Sequence, residues 1–403
     1  MNKNDSAPET IAKIARPPRS CAELAFAPRI LDRLAEELTL RGLVGEERAA
    51  KLLYLVITSR FLSRPVSAVV KGPSSAGKSH LVEQVLSLFP LNAYYKLTAM
   101  SERVLAYTEE PLSHRFIILA EAAALRGEML TYLIRSLLSE GRIDYEVVER
   151  MGDSFGTRKM KNEGPTGLLV TTTAIRLHPE NETRLFSIPI NDTPEQTRAI
   201  MIATAKCSEK RDTDHLWVVF QTWLEKAEHR VVIPYAESLA ENTPPVAVRL
   251  RRDFKAVLNL VKSHALLHQL NRERDLEGHV IATLEDYAEV RELVVALFSE
   301  GVGASVPPIV RETVTAAAKL GAHRYSKIRC ESEEGPNVLA VAKELRIDPS
   351  AAWRRIREAI RLGYLINLED RKSRPARLAL GEPFPEEEFD LLPKAEELKA
   401  RNK

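Results

Sequence analysis

Apolar residues recur along this chain in two alternating patterns. Five short runs, at 67–71, 93–97, 116–119, 167–173 and 185–190, are rich in Val, Ile and Leu and have the length of buried strands. Between them, apolar positions three and four apart predict helices. Ile30, Leu31, Leu34 and Leu38 mark one that Gly42 ends, and residues 46–62 form a second, stopped by Pro65. Leu81, Val82, Val85, Leu86 and Phe89 mark a third up to Pro90, and helices follow at 102–107 and 128–139. Strands alternating with helices predict an α/β fold, a mostly parallel sheet with helices on both faces. Residues 143–149 and 157–162 flank Gly152, Asp153 and Gly156 and predict a β-hairpin.

The pattern then turns helical from 192 to 241, and Pro244-Pro245 breaks it. Leu250, Phe254, Val257, Leu258 and Val261 line one face of a long helix over 246–270. Thr283 and Asp286 have capping-box spacing before a helix reaching Phe298. Gly301, Gly303, Pro307 and Pro308 read as a linker. A helix over 337–346 follows, then one capped by Asp348 with Pro349 at its first position, ending at Gly363. Two short strands, 364–367 and 375–380, surround a charged tip. Helix, turn, helix and wing is a winged-helix pattern. The expected division is a disordered tail (1–26), helical lead-in (27–64), nucleotide core (65–243), helical lid (244–300), winged helix (301–385) and loosely ordered acidic tail (386–403).

Composition narrows the class. The chain has 403 residues, enough for two or three domains, and a net charge of +2, so nucleic-acid contact requires local basic patches. Cys21, Cys207 and Cys330 are far apart and suggest neither a zinc site nor a disulfide framework. No apolar run approaches membrane-spanning length and no signal-peptide pattern opens the chain, so a reduced, cytosolic protein without membrane contact is expected.

The chemistry concentrates in Gly72, Pro73, Ser74, Ser75, Ala76, Gly77, Lys78 and Ser79, with His80 next, which fit G-x-x-x-x-G-K-[ST] at every fixed position. The glycines let successive N–H groups turn inward onto phosphates, Lys78 reaches the β- and γ-phosphates, and the Ser79 hydroxyl suits Mg²⁺. A strand before and a helix after complete the anion site. The predicted ligands are therefore ATP and Mg²⁺.

Glu121 ends the strand at 116–119, where a carboxylate faces the γ-phosphate and polarises the attacking water. The metal-supporting Asp that ordinarily precedes it is Ala120. Thr171, Thr172 and Thr173 end the later strand. Thr172 or Thr173 suits a γ-phosphate sensor, although three threonines are also simply good strand formers. The hairpin carries Arg142, Arg150, Arg158, Lys159 and Lys161, which suit a DNA backbone but equally a soluble surface. Arg354, Arg355, Arg357 and Arg361 lie on the presumed recognition helix, and Arg371, Lys372, Arg374 and Arg377 on the wing. This is the strongest basic patch and fits duplex DNA, though winged helices also dock proteins. His264, His268 and His279 read as structural.

With these pieces placed, the chain resembles AAA+ ATPases, and more closely the minichromosome-maintenance-like replicative helicases of phages and mobile elements. The resemblance rests on FLSRPVSAVVKGPSSAGKS, FIILAEAAAL, RSLLSEGRIDYEVV, the TTT tip, ETRLF, PEQTRAI and RRDFKAVLNLVKSHALLH, between about residues 27 and 298. It covers the motor and its C-terminal winged helix alone. It implies a homo-oligomeric, hexameric ring with ATP between subunits. The family's catalytic acid falls on Glu121, its arginine finger on Arg184, and its second-sensor arginine on Arg252, with Arg251 as rival. The hairpin matches the family's DNA-translocating hairpin. The implied function is an ATP-driven DNA helicase with single-stranded DNA in its channel and a primase or other replication partner. The alternative is an ATP-switched initiator or helicase loader, with a small-molecule kinase a distant third.

Overall fold

The computed structural model describes residues 16–98, 101–121, 128–151, 154–173, 184–205, 214–245, 250–303, 308–325, 335–369, 371, 374–381 and 391–399. The chain divides into two compact units. The first holds residues 1–244, 251–297 and 392–403, the second 245–250 and 298–391.

The first unit is built on a five-stranded parallel sheet. Its strands are β1 (Ala68–Lys71), β2 (Tyr94–Leu97), β3 (Arg115–Leu119), β6 (Thr166–Thr172) and β7 (Phe186–Pro189), in the order β2-β3-β6-β1-β7. All five expected runs are strands; β1, β3 and β6 are apolar on both faces and lie inside the sheet, while β2 and β7 are its partly exposed edges. Ala68, Val69 and Val70 of β1, an interior strand, are fully buried. The packing admits no slack at Gly167, where an added Cβ would lie 2.3 Å from the Phe116 ring. Between β3 and β6 the chain inserts helix α6 (Glu128–Glu140) and the hairpin β4 (Arg142–Met151) and β5 (Ser154–Glu163). The hairpin pairs only with itself, from Arg142↔Glu163 to Met151↔Ser154. Leu130, Leu133 and Leu137 of α6 pack with Ile117, Leu119, Leu168 and Val170 of the sheet.

Helix α2 (Ile30–Leu40) follows the expected pattern. Helix α3 (Glu47–Thr58) is more central than a lead-in, with every residue from Leu52 to Thr58 buried. Its Tyr54 meets Phe89 beyond α4 (Lys78–Leu86) at 4.8 Å and Trp217 of α8 (Asp214–Leu224) at 5.6 Å. Helix α5 is a single turn (Val104–Tyr107), and α7 (Pro194–Ala205) follows β7. Helices α9 (Ala236–Glu241), α10 (Leu250–Leu267) and α11 (Leu284–Gly303) follow, with a two-residue parallel pair, β8 (Val231–Val232) and β9 (Val280–Ile281), too short for any pattern to predict.

An ionic cluster joins α10 to α11. The buried Asp286 carboxylate accepts from His264 Nδ1 at 2.6 Å, from Arg272 Nη2 and Nε at 2.7 and 2.9 Å, and from the Thr283 N–H at 2.7 Å. These hydrogen bonds hold Asp286 well below the usual carboxylate range against the desolvation of burial. The His264 and His268 rings lie 4.5 Å apart, and burial pushes His268 down to about 3. This accords with a structural role for both.

Both tails need correction. Residues 16–26 are not a disordered tail: Cys21, Leu24 and Ala25 are buried, in a turn and a short helix, α1 (Ala22–Ala25). Residues 1–15 lie outside the described residues. At the other end, Leu392 and Leu398 are fully buried. A helix, α15 (Ala395–Lys399), forms there, and the Pro393 carbonyl accepts from the Tyr287 hydroxyl at 2.6 Å. Anchoring leucines outweigh the acidic composition.

The second unit comprises α12 (Pro308–Tyr325), α13 (Val338–Leu345), α14 (Pro349–Arg361), β10 (Leu365–Asn367) and β11 (Leu378–Leu380). Val314, Ala317, Val341, Ile356, Ala359, Leu365 and Leu378 form its core. Asn337 caps α13 by accepting from the Ala340 N–H, and Asp348 caps α14 through the Ser350 and Ala351 N–H groups. Of the residues expected as linker, Gly301 and Gly303 end α11 and Pro308 is the first residue of α12, where its missing N–H costs nothing, while Pro307 lies outside the described residues. Among the described residues, no helix is long and apolar enough to cross a membrane.

Candidate nucleotide-binding site

The loop from Gly72 to Ser79 leaves the carboxyl end of β1 and enters α4. Gly77 sits at the helix N-cap with φ +89°, a left-handed conformation that favours glycine, and Ser75 is left-handed at φ +66°. Pro73, Ser74, Ser75, Ser79 and His80 are exposed, whereas Lys78 is 8% exposed. The Lys78 ammonium lies inside the curve of the loop and donates to the Gly72 and Pro73 carbonyls at 2.9 and 2.5 Å. N–H groups at a helix start around one buried ammonium form an anion cradle.

The sheet order aligns the remaining groups. β6 lies between β1 and β3, with Lys71 opposite Thr172 and Leu119 opposite Val170. Two residues on, Glu121 is therefore level with Thr172, and Thr172 with the start of the loop. The Gly72 N–H donates to the Thr172 carbonyl at 3.3 Å. Two strand spacings, about 10 Å, separate the line of β3 from that of β1. Glu121 is exposed at this edge, as is Thr173, while Thr172 is buried. Thr171 plays a different part. Its buried hydroxyl donates to the Ala120 carbonyl and ties the tips of β3 and β6 together.

Arg184 lies at the opposite edge. It precedes β7 by two residues, and Phe186 is opposite Ala68 at the start of β1. Six strand residues then separate its level from Gly72, about 20 Å. Its guanidinium donates to the Ser139 hydroxyl in the last turn of α6. Arg251 and Arg252 are exposed in the first turn of α10.

Pattern reading passes over Glu46, because a Glu-Glu pair ahead of a helix looks solvated. It is 7% exposed, and its carboxylate accepts from the Asn191 N–H at 3.0 Å. Asn191 follows Ile190, whose Cβ would lie 3.4 Å from a Cβ on Gly72. Burial pushes Glu46 up to about 7.

No family model matches the chain, and no curated protein matches it. Among solved structures it is similar to the crystal structure of a full-length MCM homolog from Methanopyrus kandleri. The two are 14% identical with a TM-score of 0.46, over 69% of this chain. The chain spans 61% of the length of that structure.

The basic surfaces differ in character. Register opposes Lys159 to Glu146 and Lys161 to Asp144 across the hairpin, and Lys159 pairs with Glu146 at 2.8 Å. Arg142 pairs with Asp144 at 3.0 Å, and Arg158, opposite Val147, is exposed. Arg150 lies near the end of β4, and its side chain is outside the described residues. Residues 142–163 hold five basic and five acidic side chains, a net charge of zero. Residues 335–381 instead hold ten basic against five acidic. On α14, Arg355 pairs with Glu312 at 3.3 Å and Arg361 with Glu358 at 2.6 Å. Arg354 and Arg357 are exposed on that helix, and Arg371 and Arg374 beyond β10. Lys372 lies outside the described residues.

Proposed function

We propose that this protein is an AAA+-type, P-loop ATPase that works as a ring-forming DNA helicase or translocase in the replication of a phage or mobile element. The observation that carries the proposal is the register of β3, β6 and β1. It supports a pocket in which Glu121 stands two strand positions from the loop that would hold the phosphates. The loop N–H groups and Lys78 bind the β- and γ-phosphates, and Glu121 accepts a proton from water in line with them. Thr173, exposed at the tip of β6, orients that water, with Thr172 buried beside it. Magnesium, bound by Ser79, would neutralise charge on the β- and γ-oxygens. Arg184 lies too far from its own loop to serve it and acts on the nucleotide of a neighbouring subunit in a hexameric ring. Arg252 contributes to the same shared pocket. DNA is held by Arg354, Arg357, Arg371 and Arg374 on a winged-helix unit and by the hairpin in the ring channel, and a primase is an expected partner.

Strand displacement on forked DNA tests this reading. Wild type unwinds with ATP, while Lys78→Ala and Glu121→Gln do not. A wild type that hydrolyses ATP without unwinding any fork defeats the helicase claim. A monomer in the presence of a non-hydrolysable ATP analogue defeats the shared pocket. Two observations favour a second reading, an ATP-switched initiator or loader: the hairpin carries no net charge, and Ala120 supplies no acid beside Glu121.

A further inference from the structure

Nucleotide loops of this kind hold magnesium between the loop hydroxyl and a carboxylate on a neighbouring strand. The segments at this sheet edge are poor in acids. Among the described residues, 72–80 contain none, 120–121 contain Glu121 alone, and 171–173 contain none. Beyond β7 the first is Asp192, exposed and on the far side of β1 from β3. The backbone beside Glu121 is committed as well. The Ala120 carbonyl accepts from the Thr171 hydroxyl, and the Thr172 carbonyl accepts from the Gly72 N–H. A hydrogen-bonded line thus runs from the tip of β3 through β6 to the phosphate loop, and its oxygens are neutral carbonyls and a hydroxyl. The residues present fit a nucleotide, but they meet a divalent ion from one loop hydroxyl and one carboxylate only.

We infer that this edge, with no second acid in the described residues beside the loop, leaves Glu121 as the one carboxylate that supports the metal of the nucleotide. The inference rests on the nucleotide reading of Gly72–Ser79. Its consequence is a weak hold on the divalent ion. A supporting carboxylate acting through water is worth about 10- to 100-fold in metal affinity.

The experiment titrates Mg²⁺ into the full chain with a fluorescent, non-hydrolysable ATP analogue and records nucleotide affinity at each concentration. Ala120→Asp, at an exposed position, is expected to lower the Mg²⁺ midpoint by about tenfold or more. Glu121→Gln in the unaltered background is expected to raise the midpoint by about the same factor, which keeps the test alive if Ala120→Asp does not fold. The inference is overturned if Ala120→Asp folds and leaves the midpoint unchanged, if Glu121→Gln leaves it unchanged, or if Asp192→Asn raises it as much as Glu121→Gln does. If instead Lys78→Ala binds the analogue as tightly as wild type, the nucleotide reading itself has failed. That outcome is separate from coinciding midpoints on a site that Lys78 does hold.

Discussion

Acidification from pH 7 to pH 5 should act on two buried groups of the first unit with opposite sign. His268 is 2% exposed and is pushed by burial down to about 3. Its folded value lies below the unfolded one of about 6.5, so its stabilising contribution is complete above that pH and is lost as pH falls. Over this window the unfolded imidazole takes up a proton and the folded one does not, a loss of about 2 kcal/mol. Glu46 is pushed up to about 7. Its folded value lies above the unfolded one of about 4.3, so its contribution is complete below that pH and is lost as pH rises through 7. Acidification therefore protonates the folded carboxyl first, a gain of about 2 kcal/mol. The wild type should show little net change from this pair. Relative to the double variant, which keeps only the pH response common to all, His268→Gln should gain stability between pH 7 and pH 5 and Glu46→Gln should lose it. Gln at 46 retains a carbonyl to accept from Asn191. Urea unfolding followed by tryptophan fluorescence reads the right unit, since Trp217 and Trp223 are 2% and 5% exposed there, with Trp353 replaced by Phe throughout. His229, also lowered by burial, is common to all variants and cancels. Equal pH responses in wild type and both single variants would refute the reasoning.

Asp286→Ala should cost about 3–5 kcal/mol, because it strands the Arg272 and His264 donors in a buried site; the urea midpoint of the same fluorescence measures it. Gly167→Ala should cost about 1–3 kcal/mol through overpacking on the Phe116 ring, read by thermal unfolding. Asp348→Ala should remove about 1 kcal/mol by leaving the Ser350 and Ala351 N–H groups uncapped, read in the second unit through Trp353 fluorescence. For DNA, Arg354→Ala and Arg357→Ala should each lower the salt slope of binding by about 1. Lys159→Ala should leave the slope nearly unchanged, because that ammonium is already paired with Glu146.

The sheet and its loop are legible in the sequence because each signal is local. A continuous apolar run bounded by Gly or Pro has few other uses, and G-x-x-x-x-G-K-[ST] is a contiguous string. What escapes depends on distance along the chain or on register. Asp286 meets partners 14 and 22 residues away, which no helical spacing reveals. Helix α12 is hidden because its proline reads as a break and is in fact a start. The anchoring leucines near the C-terminus are masked by surrounding acids, and Glu46 by its neighbour Glu47. The hairpin is the sharpest case. Its five basic residues stand out one by one and five acids balance them in the sequence, but which acid meets which base emerges only from the register that sets Lys159 and Lys161 opposite Glu146 and Asp144.

That cancellation bears on how force could reach DNA. If DNA threads a ring as proposed, a strand passing a hairpin of zero net charge gains little from counterion release, and its grip would come from shape and from short contacts made one subunit at a time. On the proposed reading, the excess of five basic groups over residues 335–381 would provide the long-range attraction instead. Capture and movement would then belong to different units and differ in salt dependence. Raising salt should abolish recruitment to DNA before it slows any movement of the protein already engaged, whereas a single basic channel serving both roles would lose the two together.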